Sequence, residues 1–384
     1  MNKKVLVGAI VVIAVVIVVG IFVGLSREPE GQEQYKLGAI LPLTGGAAML
    51  GENVRNGIQL AVDEINAGGG INGRAIQVEF GDSKDEPKEG VSLMTRFTSV
   101  NKYPAVITAM TAITAPLIPI AERSKTVVFA TMVSSPTFAD QSEYLFRCFT
   151  RAETEVPPLA NIAYKRLGMH TIASLYVDDD FGRGYSERFR TEFEKLGGRI
   201  VEQIPFTRGG ADFRNTITKL KTTDADGIYL VGYDKAMGLI PKQLREMGIE
   251  KPLIANASMA TPEYIQIAGE AAEGIVLMNF AFSTRAPRTE EGKALVKKYE
   301  EKFGSTPLVL TVIGYDIVGL LAEAIKNKGY SSEGIRQGLL AIQDYEGVIG
   351  KLKVQPDGEV DVPLMPLVIR GGKPVPFVSQ PNPK

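Results

Sequence analysis

The chain of 384 residues is 45% hydrophobic and 23% charged and carries a formal charge of −1, a composition that fits a globular protein long enough for two domains. That balance excludes the basic footprint of a nucleic-acid binder. A single cysteine, Cys148, and a single histidine, His170, exclude an internal disulfide and a Cys/His metal centre, and are read as a buried thiol and a surface imidazole.

At the N-terminus, Lys3 and Lys4 precede an uncharged apolar run over residues 5–25, close to the ~20 residues that cross a bilayer as a helix. Lysines on the near side predict a cytoplasmic N-terminus with the rest of the chain outside, at the periplasm or cell surface. The run is a signal or a membrane anchor. Its end, Ile21-Phe22-Val23-Gly24-Leu25-Ser26, offers no good small-residue cleavage site, and no cysteine directly follows for lipid attachment. A retained anchor followed by a polar linker to residue 35 is therefore expected.

From residue 36 onward, short β-branched runs alternate with stretches of helical period, the pattern of βαβ units and a parallel sheet. Strands are predicted over 36–41, 75–80, 105–109, 126–130, 171–177, 199–206, 227–231, 252–255 and 274–280. Val54, Ile58, Ala61, Val62 and Ile65 fall on one face of the first helix. Further helices are predicted over 153–167, 184–196, 212–221, 236–247, 290–303 and 310–328. Near the C-terminus, 345–354 and 363–369 read as strands around the turn Gln355-Pro356-Asp357-Gly358, so a hairpin-like element is expected there.

Gly68-Gly69-Gly70-Ile71-Asn72-Gly73 satisfies G-x-G-x-x-G, but a dinucleotide fingerprint must follow a strand and open a helix, and this one closes a helix and opens a strand. Asp180-Phe181-Gly182 has no kinase catalytic loop beside it, and Asp178-Asp179-Asp180 reads as a solvated start of a helix. With no G-x-S-x-G, H-E-x-x-H or P-loop, the chain is expected to be neither an enzyme nor a cofactor binder.

Hydroxyls fall where a ligand would sit in an open α/β sheet, beyond the carboxyl ends of strands. Met110-Thr111-Ala112-Ile113-Thr114-Ala115-Pro116 follows one predicted strand, and Thr131-Met132-Val133-Ser134-Ser135-Pro136 follows the next. Adjacent strand ends would bring Thr111 and Ser134 together to hold a carboxylate; simple helix capping accounts for them equally well.

On these residues the sequence resembles the Leu/Ile/Val-binding protein family, the type I periplasmic binding proteins that feed branched-chain amino acid ABC transporters. The likeness runs from about residue 36 to 369. Its markers are Gly38-Ala39-Ile40-Leu41-Pro42-Leu43-Thr44-Gly45, Gly57-Ile58-Gln59-Leu60-Ala61, Glu64-Ile65-Asn66-Ala67 running into the glycine-rich turn, and Ile267-Ala268-Gly269-Glu270-Ala271-Ala272-Glu273-Gly274. The resemblance implies two Rossmann-like lobes joined by a crossing-strand hinge, one from 36–150 and 281–348, the other from 151–280 and 349–384, with ligand trapped between them.

It further implies that Thr111, the Met132 backbone and Ser134 hold the charged groups of an amino acid, that Phe181 and Tyr233 close over it, and that Leu50 and Leu308 touch its side chain. An ABC permease is the implied partner. Where the amino-acid binders place an acid against the ligand ammonium, this chain has Asn256-Ala257-Ser258. A buried ammonium without a carboxylate is costly, so a non-amino organic acid or an amide competes as ligand. A membrane-tethered sensory domain is the other alternative.

Overall fold

A computed structural model describes residues 34–133, 138, 141–282, 287 and 289–378. The apolar run 5–25 and Ser134 lie outside these residues. Among the described residues no helix is long and apolar enough to cross a membrane.

Strands Tyr35–Leu41 (β1), Ile76–Asp82 (β2), Ala105–Ala109 (β3), Val127–Thr131 (β4) and Leu145–Arg147 (β5) form one sheet, ordered β2-β1-β3-β4-β5, with every pair parallel. Helices Ala48–Ala67 (α1), Pro87–Ser99 (α2), Thr111–Thr114 (α3) and Ile118–Ser124 (α4) connect them. Side chains alternate between two buried faces: Leu37, Ala39, Ile107 and Phe129 join one core, while Ile40, Val106 and Val128 join another with Met94, Phe97 and Leu117. Burial on both faces is why these strands read as continuous apolar runs.

The next sheet repeats the plan. Ala152–Asn161 (α5), Thr171–Val177 (β6), Asp180–Lys195 (α6), Arg199–Phe206 (β7), Arg214–Thr218 (α7), Gly227–Val231 (β8), Ala236–Glu246 (α8), Leu253–Ala255 (β9), Pro262–Ala268 (α9) and Val276–Phe280 (β10) alternate along the chain. β7-β6-β8-β9-β10 are parallel neighbours. The helix expected over 184–196 starts earlier, at Asp180, because the Asp179 carboxylate caps it by accepting from Gly182 N (2.9 Å). The helix expected over 153–167 loses its α form after Asn161, where Ile162–Arg166 forms a π turn.

The chain then returns to the first core through Glu290–Phe303 (α10), Val309–Lys328 (α11) and Ser332–Leu340 (α12). Tyr345–Gly347 (β11), Gly350–Val354 (β12) and Val360–Asp361 (β13) make a small antiparallel sheet against it. The turn at Gln355-Pro356-Asp357-Gly358 is present, but it joins β12 to β13. The expected partner, Leu364–Arg370 (β14), instead pairs antiparallel with β10 and with Lys373–Pro376 (β15). Residues 349–362, expected with the second lobe, therefore pack on the first core through Ile349, Leu352, Val354, Val360 and Val362. A turn signal gives the bend and not the partner, which is set by whichever open sheet edge can bury the strand.

α1 and α11 lie close enough that a Cβ on Gly57 would stand 1.9 Å from the Thr311 carbonyl oxygen. Backbone cannot yield there as a flexible side chain can, so Gly57→Ala should cost at least the ~1–3 kcal/mol typical of overpacking. Chemical denaturation checks this, with a lowered midpoint at unchanged m-value expected.

Candidate ligand-binding site

On the first sheet, Met110 leaves β3 with φ 73° and Met132 leaves β4 with φ 55°. Their preceding residues, Ala109 and Thr131, are register partners, and Met110 N donates to Thr131 O (3.1 Å), so the two turns are neighbours. Non-glycine residues at positive φ persist where their surroundings over-determine them, and such strain concentrates at binding sites. Half-buried Thr111 opens α3 directly beyond this pair.

The same sheet edge carries the loop from β1 to α1. The Asp82 carboxylate at the end of β2 accepts from Leu43 N (2.9 Å), Thr44 N (3.2 Å), Thr44 Oγ1 (2.6 Å) and Lys84 N (2.8 Å). Although desolvation raises its pKa, these bonds together hold it below the usual value. Leu50, early in α1, and Leu308, just before α11, are both half-buried against the first core. Asn53 Oδ1 fastens the two helices by accepting from Leu308 N (3.0 Å) and Thr311 Oγ1 (3.1 Å).

On the second sheet, Phe181 and Tyr233 meet edge to face with centroids 5.4 Å apart. The Tyr233 hydroxyl donates to Asp179 Oδ2 (2.5 Å), and Tyr264 Oη donates to Tyr233 O (2.6 Å). Asp179 thus serves both as helix cap and as anchor for an aromatic. Asn256 is buried, and its amide is spent locally: Oδ1 accepts from Gly232 N (3.1 Å) and Nδ2 donates to Ser258 Oγ (3.0 Å). It fixes the turn that presents Tyr233. The structure thus brings Thr111 and Met132 together on one sheet edge, and Phe181, Tyr233 and Asn256 together on another.

Sequence reasoning missed two buried charged groups beside these loops. Arg147 donates to Val133 O (3.1 Å), directly after Met132. Glu155, fully buried in α5, accepts from Ala257 N (2.6 Å) and from the Tyr185 hydroxyl (3.2 Å). Burial pushes its carboxyl up to about 8 against the pull of those two bonds. Neither contact has a local sequence signature, because each joins distant segments. Cys148 is buried with its thiol raised by desolvation, and His170 is exposed, edge to face with Tyr164. Among the described residues no group of three or more His, Cys, Asp or Glu could hold a metal.

The chain belongs to the periplasmic binding protein family, whose model matches residues 34–373. Leu/Ile/Val-binding protein homolog 3 of Brucella melitensis is 26% identical over 85% of this chain and 89% of that protein. Among solved structures, the branched-chain amino acid transporter substrate binding protein LivJ of Streptococcus pneumoniae, in complex with isoleucine, is 28% identical with a TM-score of 0.79. The match covers 89% of this chain and 98% of that one. The leucine binding protein LivK of Thermotoga maritima is 26% identical, also with a TM-score of 0.79, over 89% and 97% of the two chains. The resemblance seen in the sequence is borne out.

Glu155 makes stability pH-dependent in a defined direction. An unfolded glutamate titrates near ~4.3, so between about pH 4 and 8 the folded state holds a proton the unfolded state has lost. The stability this gives is complete below about pH 4 and is lost as pH rises towards 8. Glu155→Gln should flatten that fall, leaving the smaller share from Asp316, whose carboxyl burial pushes up to about 7. Denaturation curves at several pH values between about 5 and 8 measure it.

Proposed function

We propose that this chain is the extracytoplasmic substrate-binding protein of an ABC importer, taking a branched-chain amino acid between two lobes and delivering it to a permease. The observation that carries the reading is the pair of strained turns at Met110 and Met132, side by side on one sheet edge with Thr111 next to them. This is the place and the chemistry for a carboxylate: a hydroxyl and backbone N–H groups at strand ends and a helix start. Half-buried Leu50 and Leu308 offer apolar contact to a branched side chain, and the Phe181–Tyr233 pair forms the opposing cover. The isoleucine bound to the Streptococcus pneumoniae relative supports the ligand class.

In this reading the two sheets with their cores are the two lobes, the chain crosses between them after Phe149, after Phe280 and near Pro363, and residues 5–25 export the protein and hold it at the membrane. Ser134 adds a second hydroxyl to the carboxylate site. The protein binds and releases its ligand without chemistry, and transport energy comes from the partner.

A second reading, a non-amino organic acid or an amide, is favoured by one observation. The stretch Asn256-Ala257-Ser258, where the resemblance implies an acid, carries no charged side chain, and the Asn256 amide is engaged by Gly232 and Ser258, so a ligand ammonium would find no charge on these residues.

Calorimetry with leucine, isoleucine, their 2-keto acids and their amides separates the two. Amino-acid binding with weaker keto-acid binding is expected, and a preference for the keto acid or the amide would establish the second reading. Thr111→Ala should weaken binding by the ~1.5–3 kcal/mol of a hydrogen bond to a charged group. Replacing Phe181 and Tyr233 together by Ala should weaken binding and abolish the ligand-induced decrease in radius of gyration seen by small-angle scattering.

A further inference from the structure

Arg147 and Glu359 form a buried ion pair whose placement has no explanation in the core alone. Their side chains are 1% and 2% exposed. Arg147 Nε donates to Glu359 Oε2 (2.9 Å) and a terminal nitrogen to Oε1 (2.5 Å), a two-point contact. The backbones are also joined, with Arg147 N donating to Gly358 O (3.0 Å). The third guanidinium nitrogen, Nη1, donates to the carbonyl of Val133 at 3.1 Å. Val133 is buried and follows Met132, the residue held at φ 55°.

Glu359 faces the other way as well. Arg151, one residue before α5, approaches Glu359 Oε2 at 3.9 Å and Asp361 Oδ1 at 3.3 Å. Asp361 ends β13, and the chain crosses to β14 three residues later. The pair therefore stands between the strained turn on the first sheet edge and two segments, 148–151 and 362–363, that lead into the second sheet.

Ion pairs this buried return little net stability, because desolvation offsets the attraction, and well-packed apolar residues often serve the fold as well. A planar fork with five donors is, however, suited to fixing a backbone carbonyl and a carboxylate at once, which a lysine cannot do. We propose that Arg147, held by Glu359, is a positioning residue for the ligand carboxylate: it locks the Met132–Val133 turn in its strained conformation, so that the backbone N–H groups there are set for an anion before ligand arrives. This rests on the reading of the Met110–Met132 edge as the carboxylate site.

The test compares the parent with Arg147→Lys, which keeps a cation opposite Glu359 but cannot span both partners, and with the double variant Arg147→Met/Glu359→Met, which leaves no unpaired buried charge. Affinities for isoleucine and isoleucinamide are measured by calorimetry, with unliganded melting temperature as the control on the fold. The parent should prefer isoleucine. Both variants should lose about 10-fold or more of their isoleucine affinity, the scale of one hydrogen bond to a charged group, while isoleucinamide affinity changes little, so the preference collapses. A purely structural role would lower both affinities alike or neither. A parent that ignores isoleucine overturns the underlying reading and this proposal with it. A parent that binds isoleucine while the folded variants keep its preference overturns the proposal alone.

Discussion

In a parallel sheet covered on both faces, the interior is committed to apolar packing and every strand hands its chain over on the same edge. Ala39, Ile107 and Phe129 face one core of the first sheet, with Ile40, Val106 and Val128 facing the other, so these central strand residues are committed to packing. The residues that follow each strand are then the natural place for recognition. The proposed site residues Thr111, Met132, Phe181, Tyr233 and Asn256 all follow strand ends in this way, after β3, β4, β6, β8 and β9. The core can stay constant while these short segments change, which is why the fold can serve many ligands.

Holding such segments still requires polar anchors behind them, since a turn has no ladder of its own. Asp82 collects four hydrogen bonds from the β1–α1 loop and its neighbour, Asp179 caps α6 and fixes Tyr233, Asn256 fixes Gly232, and Glu155 fixes Ala257. Each anchor is a side chain that satisfies backbone or hydroxyl donors of a loop, and at Asn256 and Glu155 burial would otherwise leave such groups costly. The binding edge is thereby prepared by residues that need not touch a ligand themselves.

The strands and the longest helices were legible in the sequence because their signal is local. The β-branched runs at 171–177, 199–206 and 227–231 and the helix at 290–303 fall at the observed bounds. That Thr111, Met132, Phe181 and Tyr233 lie just beyond strand ends was legible from the predicted strands. Contacts between distant segments were not. Nothing near Arg147 announces Glu359, more than two hundred residues on, and the turn at Pro356 and Asp357 does not say that β14 will leave β12 for β10. The β5 strand, three residues long, is too short to show a period.

The two sheet edges differ in what charge they can meet, and this difference bears on the ligand more than any single contact. The first edge offers a hydroxyl and backbone donors, a setting for an anion. The second offers aromatic rings, an amide already engaged at Asn256, and a buried carboxyl at Glu155 whose pKa burial pushes up to about 8. In the proposed site a zwitterion would be bound asymmetrically, its carboxylate at the first edge and its ammonium without a formal counter-charge from residues 256–258. The ammonium must then draw on neutral acceptors, carbonyl and hydroxyl oxygens, whose bonds to a charged group still exceed those to a neutral one. Such a site would discriminate strongly for the carboxylate and weakly for the amine, and Asn256, Ala257 and Ser258 are the positions at which an acid would shift that balance.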